Sequence, residues 1–180
     1  LLAVPGFVDS HTHLVYAGDR SDEFEMRVQG RSYLDILAAG GGILRTTSAI
    51  RNLSEDDIFV RSAERLELVM KTGVSTIEIK TGYGLDLDNE MKMLRVIDRL
   101  RNAYPARIVA TFMGAHAVPA DRRENPEDFV KEICDVWIPA VAKSGLADFN
   151  DVFTENKAFS VAQSRRILEA GLKHGLKAKI

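Results

Sequence analysis

Alternation of short apolar stretches with longer helical ones constrains this chain more than any other feature. Phe7 to His11 reads as a short strand, and Val74 to Ile79 and Ile108 to Met113 are short, apolar and β-branched. Asp151 to Thr154 is strand-like, and Lys177 to Ile180 reads as the opening of a further strand. Such runs suit a pleated, buried surface. Helical patterns lie between them. Ser54 followed by Asp57 resembles an N-cap with an acidic first turn, after which Ile58, Ala63, Leu66, Val69 and Met70 form one apolar face up to Lys71-Thr72-Gly73. Asn89 to Asn102 sets Met93, Leu94, Ile97 and Leu100 at core spacing. A longer helix is expected from Pro126 to Lys143, kinked or cut short by Pro139. Another runs from Ser160 to His174 and ends at Gly175. Upstream, residues 14–30 are mixed and polar and read as loop. Ser32 to Ala39 reads as a short helix closed by Gly40-Gly41-Gly42, and Ile43 to Arg51 as a second helical segment.

Strand–helix alternation repeated four times, with a fifth strand starting, implies an α/β fold on a parallel sheet. Two architectures fit: an open doubly wound sheet, or the first half of a TIM-like (β/α)8 barrel. Half a barrel leaves two strand edges and an unfilled interior, so the expectation is an internal piece of a longer chain. The absence of an initiator Met and the stop inside a strand agree with that expectation. Both architectures put chemistry at the C-terminal ends of the strands.

Charge narrows the partners. With 24 basic and 26 acidic residues the net charge is -2, which gives no reason to expect a nucleic-acid or membrane-surface partner. No apolar run approaches membrane-spanning length. Cys134 is the single cysteine, so an internal disulfide is impossible and a thiolate metal cage is not expected.

His11-Thr12-His13 is the strongest chemical signal. Side chains two apart on a strand share a side, so both imidazoles can converge on one zinc or iron ion. The bland reading is two surface histidines in a loop; the apolar run Pro5-Gly6-Phe7-Val8 ahead of the pair argues against it. His116, in Gly114-Ala115-His116-Ala117-Val118-Pro119, closes a strand among small residues, where it suits a ligand or substrate contact, or a bond to a loop carbonyl. Lys80-Thr81-Gly82-Tyr83-Gly84 follows another strand, and its two glycines suggest a tight loop aiming Tyr83 into the mouth. Lys80 is either a bridging carbamylated lysine or a salt-bridging residue. Arg20, just after the histidine pair, suits a carboxylate-bearing substrate, with a solvated arginine as the alternative. Glu155 closes the fourth strand and either approaches the site or caps the next loop. Gly40-Gly41-Gly42 lacks the spacing of a phosphate cradle, and His174, in the last turn of a helix, is assigned no function.

These residues together resemble the imidazolonepropionase family of the amidohydrolase superfamily. Pro5-Gly6-Phe7-Val8-Asp9-Ser10-His11-Thr12-His13 is similar to the superfamily's first-strand motif. The narrower likeness rests on Tyr16-Ala17-Gly18-Asp19-Arg20, Gly40-Gly41-Gly42-Ile43, Lys80-Thr81-Gly82-Tyr83-Gly84-Leu85 and Gly114-Ala115-His116-Ala117-Val118-Pro119. The resemblance implies a metal-dependent cyclic amide hydrolase that opens the imidazolone ring of 4-imidazolone-5-propionate to N-formimino-L-glutamate in histidine degradation. It implies His11 and His13 as ligands of one zinc or iron ion, and Arg20, Tyr33, Tyr83 and His116 as substrate contacts. Arg20 would hold the propionate carboxylate, and His116 would help polarise the ring carbonyl. Residues 1–180 would be the N-terminal half of the catalytic barrel. The third metal histidine, a catalytic glutamate, an aspartate ligand and a small β-rich domain would belong to the rest of the parent, a cytoplasmic homodimer. The piece alone would then neither hold metal tightly nor turn over substrate. The alternative within the superfamily is another mononuclear member, such as a nucleobase or amino-heterocycle deaminase.

Overall fold

The computed structural model describes residues 2–32, 35–36, 41–155 and 158–180. Tyr33, most of the helix expected over Ser32 to Ala39, and Gly40 lie outside them. Five parallel strands form one sheet in the order β1-β2-β3-β4-β5: β1 (Phe7–Thr12), β2 (Val74–Lys80), β3 (Arg107–Ala115), β4 (Phe149–Val152) and β5 (Lys177–Ala178). The helices are α1 (Ser21–Val28), α2 (Ile43–Asn52), α3 (Glu55–Lys71), α4 (Leu87–Ala103), α5 (Pro126–Glu132), α6 (Ile138–Ser144) and α7 (Val161–Lys173). The strand order decides between the two architectures. A doubly wound sheet reverses direction at a switch point, whereas here each strand pairs with the one before it, as in the first half of a (β/α)8 barrel.

The pleat sorts the side chains. In β2, Ile77 and Ile79 are fully buried and alternate with Glu78 and Lys80, which point to the opposite side. Ile77 and Ile79 join Ile108, Ala110 and Phe112 of β3 in a core shared with Leu66 of α3 and Met93, Leu94, Ile97 and Leu100 of α4. The other face of the sheet is charged. Lys80 pairs with Asp151 and lies 3.9 Å from Glu78, while Lys179 donates to Glu78 at 2.7 Å. Barrel interiors are usually filled by branched apolar residues; here buried ion pairs occupy that face.

Local signals fix the helix ends. Ser54 Oγ accepts the Asp57 amide at the start of α3, as its spacing predicts. Ser160 and Gln163 form a reciprocal capping box on α7. Ser160→Ala should therefore lower the stability of the full-length protein by about 1 kcal/mol, read from the denaturant midpoint at unchanged slope.

Three expectations change, the first in its bounds alone: β4 is Phe149–Val152, two residues ahead of the expected Asp151 to Thr154. Residues 14–30 are not all loop, because Ser21–Val28 is helical, and Asp19 accepts the Ser21 amide at 2.7 Å just before it. Asp22 and Glu23 in the first turn and Arg27 in the last complement its dipole. The helix presents no apolar stripe, since Phe24 and Val28 are exposed, and so it carries little periodic signal. Pro139 neither ends its helix nor stands alone as a kink. α5 runs into α6 through a π turn at Ile133–Trp137, which lies just ahead of the proline's missing N–H. No helix among the described residues is long and apolar enough to cross a membrane.

Candidate metal and substrate site

Each of the first four strands delivers a ring to the same end of the sheet. His11 lies on β1 and His13 just past it, Tyr83 follows β2, His116 follows β3 and Phe153 follows β4. The His13 and His116 rings stack with centroids 4.8 Å apart and planes 10° from parallel. Tyr83 sits 5.1 Å from His13 and 5.5 Å from His116, and Phe153 meets His116 edge-on at 5.9 Å. The strand ends thus bring together His11, His13, Tyr83 and His116. Arg20 stands at the start of α1 with an exposed side chain that has no ion-pair partner among the described residues, and its charge is felt at the Tyr83 hydroxyl.

The electrostatics favour neutral rings. Burial, then the neighbouring His116, His11 and Lys80, holds His13 down at about 3, so at neutral pH it keeps a free lone pair. Burial also lowers His116, while its bond to Gly82 and the Asp151 carboxylate pull it upward. His116 Nδ1 lies 2.9 Å from the Gly82 carbonyl oxygen. A carbonyl only accepts, so Nδ1 carries the proton and Nε2 is the nitrogen left for another partner. Burial raises Tyr83, which stays a neutral phenol and a donor.

The residues present suit part of a metal site. His13 Nδ1 is buried without a hydrogen-bond partner, an orphan of the kind that a missing ligand leaves. The His11 and His13 ring centroids are 5.8 Å apart. A ring centre sits about 3 Å from a zinc ion bound at the usual Zn–N distance, so two rings on one ion span up to about 6 Å. Among the described residues no group of three or more His, Cys, Asp and Glu side chains gathers to hold an ion, and two imidazoles alone leave a site incomplete.

The loop bearing Tyr83 is over-determined. Gly82 has φ +112°, and a Cβ there would lie 2.8 Å from His116 Nδ1 and 2.9 Å from the Met113 carbonyl. Gly82→Ala should strain the backbone and push His116 aside, lowering the thermal midpoint by an amount equal to about 1–3 kcal/mol. Lys80, left open between a carbamate bridge and a salt bridge, is committed to its ion pair with Asp151. Glu155 is exposed, and its carbonyl accepts the Ala158 amide at the turn after β4. Sequence reasoning passed over Glu90, which is fully buried directly beneath the Tyr83 loop.

No family model matches the chain. It is 51% identical over 179 residues to the imidazolonepropionase of Brevibacillus brevis, covering 99% of this chain and 42% of that protein. It is 50% identical to the imidazolonepropionase of Shouchella clausii, covering 40% of that protein, and 50% identical to that of Haloarcula marismortui, covering 42%. The chain therefore spans about two fifths of the length of these curated relatives.

Proposed function

The chain is a homologue of the imidazolonepropionases along essentially all of its length, and from that premise we propose that the full-length protein hydrolyses 4-imidazolone-5-propionate to N-formimino-L-glutamate. The observation that carries this reading is the meeting of His11, His13, Tyr83 and His116 at one end of the sheet, with the charge of Arg20 acting on Tyr83. His11 and His13 would hold one zinc or iron ion, completed by ligands outside residues 1–180. When bound, that ion lowers the pKa of a coordinated water and polarises the amide carbonyl.

The chain's own residues bind and orient. Arg20 pairs with the propionate carboxylate through its planar fork, fixing which end of the substrate faces the histidines. Tyr83 donates its hydroxyl, which burial keeps protonated. The Gly82 carbonyl fixes His116 by accepting the hydrogen bond from its Nδ1–H, so Nε2 faces the ring. A neutral His116 there accepts a ring N–H, and a protonated one donates to the carbonyl oxygen, where charge develops. The acid or base that serves the departing nitrogen lies elsewhere in the parent.

The test is turnover by the metal-loaded, full-length protein, followed by Arg20→Met. A charge-assisted bond to a carboxylate is worth about 1.5–3 kcal/mol, so KM should rise about tenfold to a hundredfold with a smaller change in kcat. Absence of turnover, with activity instead on a neutral amino-heterocycle, would reject the reading.

A further inference from the structure

We propose that Glu90 is a positioning residue for the substrate side of this site: its buried carboxylate holds the loop Thr81–Leu85 in shape and, through that loop, sets both Tyr83 and His116. The inference rests on the functional reading above, which supplies Tyr83 and His116 with their roles.

Glu90 lies in the first turns of α4 and is completely buried. Its Oε2 accepts the Gly82 amide at 2.9 Å, and its Oε1 accepts the amides of Gly84 at 2.8 Å and Leu85 at 3.0 Å. Three of the four amides from Gly82 to Leu85 thus end on one side chain, that of Tyr83 being the exception. The same loop is pinned elsewhere. Thr81 donates its amide to the Thr111 carbonyl, the Thr81 hydroxyl accepts the Met113 amide at 2.9 Å, and Arg51 donates to the Gly84 carbonyl at 3.0 Å. Leu85 sits at φ +54°, an unfavourable angle for a leucine, and its amide bond to Glu90 helps hold it there. Gly82 links the two, since its N–H donates to Glu90 and its carbonyl accepts the hydrogen bond from His116 Nδ1–H. One peptide unit to either side therefore ties the carboxylate to His116, and the next residue presents Tyr83.

Fully burying a carboxylate is costly unless it is paired or well hydrogen-bonded. Burial drives the Glu90 carboxyl upward, and its bonds from Thr81, Leu85, Gly84 and Gly82 act against that shift. No cation approaches it among the described ion pairs. A side chain kept at that cost, with its acceptors spent on one loop, holds that loop's shape.

The test uses the full-length, metal-loaded protein with Glu90→Gln, which keeps the volume but turns an amide NH2 toward backbone donors. The amides of Gly82, Gly84 and Leu85 should lose hydrogen-exchange protection in this variant, while metal content per chain stays that of the wild type. kcat/KM should fall at least about tenfold. Tyr83→Phe should cost about tenfold in the wild type and less than about twofold on the Glu90→Gln background, a coupling that a merely structural role would not produce. Undiminished cost of Tyr83→Phe on that background, or kcat/KM within about twofold of wild type in Glu90→Gln, overturns the proposal. Should Glu90→Gln fail to fold, Glu90→Asp, which keeps the charge but withdraws it by one methylene, is judged by the same criteria. If the wild type does not turn over the substrate, or Tyr83→Phe is silent, the functional reading is what fails. Glu90 is then judged by exchange alone, where retained protection at Gly82, Gly84 and Leu85 overturns its hold on the loop.

Discussion

His13→Ala in the full-length protein should lower metal affinity by at least about a hundredfold and bring hydrolysis down with it. Disturbing a partner one shell out from a metal already costs about tenfold to a hundredfold, so removing a ligand outright costs no less. The expectation is sharper for His13 than for His11. His13 carries an unpartnered buried nitrogen and is held neutral by burial, whereas His11 is exposed at the rim. A neutral imidazole binds without first releasing a proton, so His13 contributes its lone pair across the whole neutral range. Dialysis against a weak chelator, followed by elemental analysis, checks the metal content. Calorimetric titration of the metal-free protein then gives the ratio of affinities. A His11→Ala, His13→Ala double variant that retains one ion per chain with unchanged affinity would place the metal elsewhere and remove the basis of the proposed mechanism.

What the sequence made legible, and what it hid, follows from how local each signal is. The β-branched run Val74 to Ile79 and the serine at 54 act on their own neighbours, and the strand and the cap stand where those signals put them. Strand order is not local. An open sheet and a half barrel share the same alternation, and only the pairing of each strand with its predecessor separates them. The helix Ser21–Val28 hid because its one buried side chain is Glu23, which accepts the Gly42 amide at 2.9 Å rather than packing in an apolar stripe. His11, His13, Tyr83 and His116 stood out because each is an uncommon residue at the end of an apolar strand. Glu90 did not, because an acid in the first turns of a helix already has an ordinary reason to be there, the helix dipole. Its bonds run backward to a loop that must first be folded over it.

The ion pair beneath the site joins residues 71 apart in sequence, and its partners could not be matched before the sheet was known. Lys80→Met should destabilise the full-length protein by about 3–5 kcal/mol, the usual cost of stranding one member of a buried pair. Asp151 is nearly inaccessible, and without Lys80 its carboxylate keeps, among the described residues, the bond from the Val152 amide at 2.7 Å. The reverse change should be milder. In Asp151→Asn the ammonium of Lys80 retains Glu78 at 3.9 Å, and Glu78 is itself supported by Lys179 and the Thr111 hydroxyl. The asymmetry distinguishes a network from an isolated bridge, in which either truncation would cost the same. Replacing both partners, as Lys80→Met with Asp151→Leu, should recover most of the loss, because well-packed apolar side chains often replace a buried pair without penalty. Denaturant midpoints of the three variants settle it. Equal losses for Lys80→Met and Asp151→Asn would mean that Glu78 gives Lys80 no effective support. A double variant no more stable than Lys80→Met would mean that the charges shape this face of the sheet in a way that packing alone cannot replace.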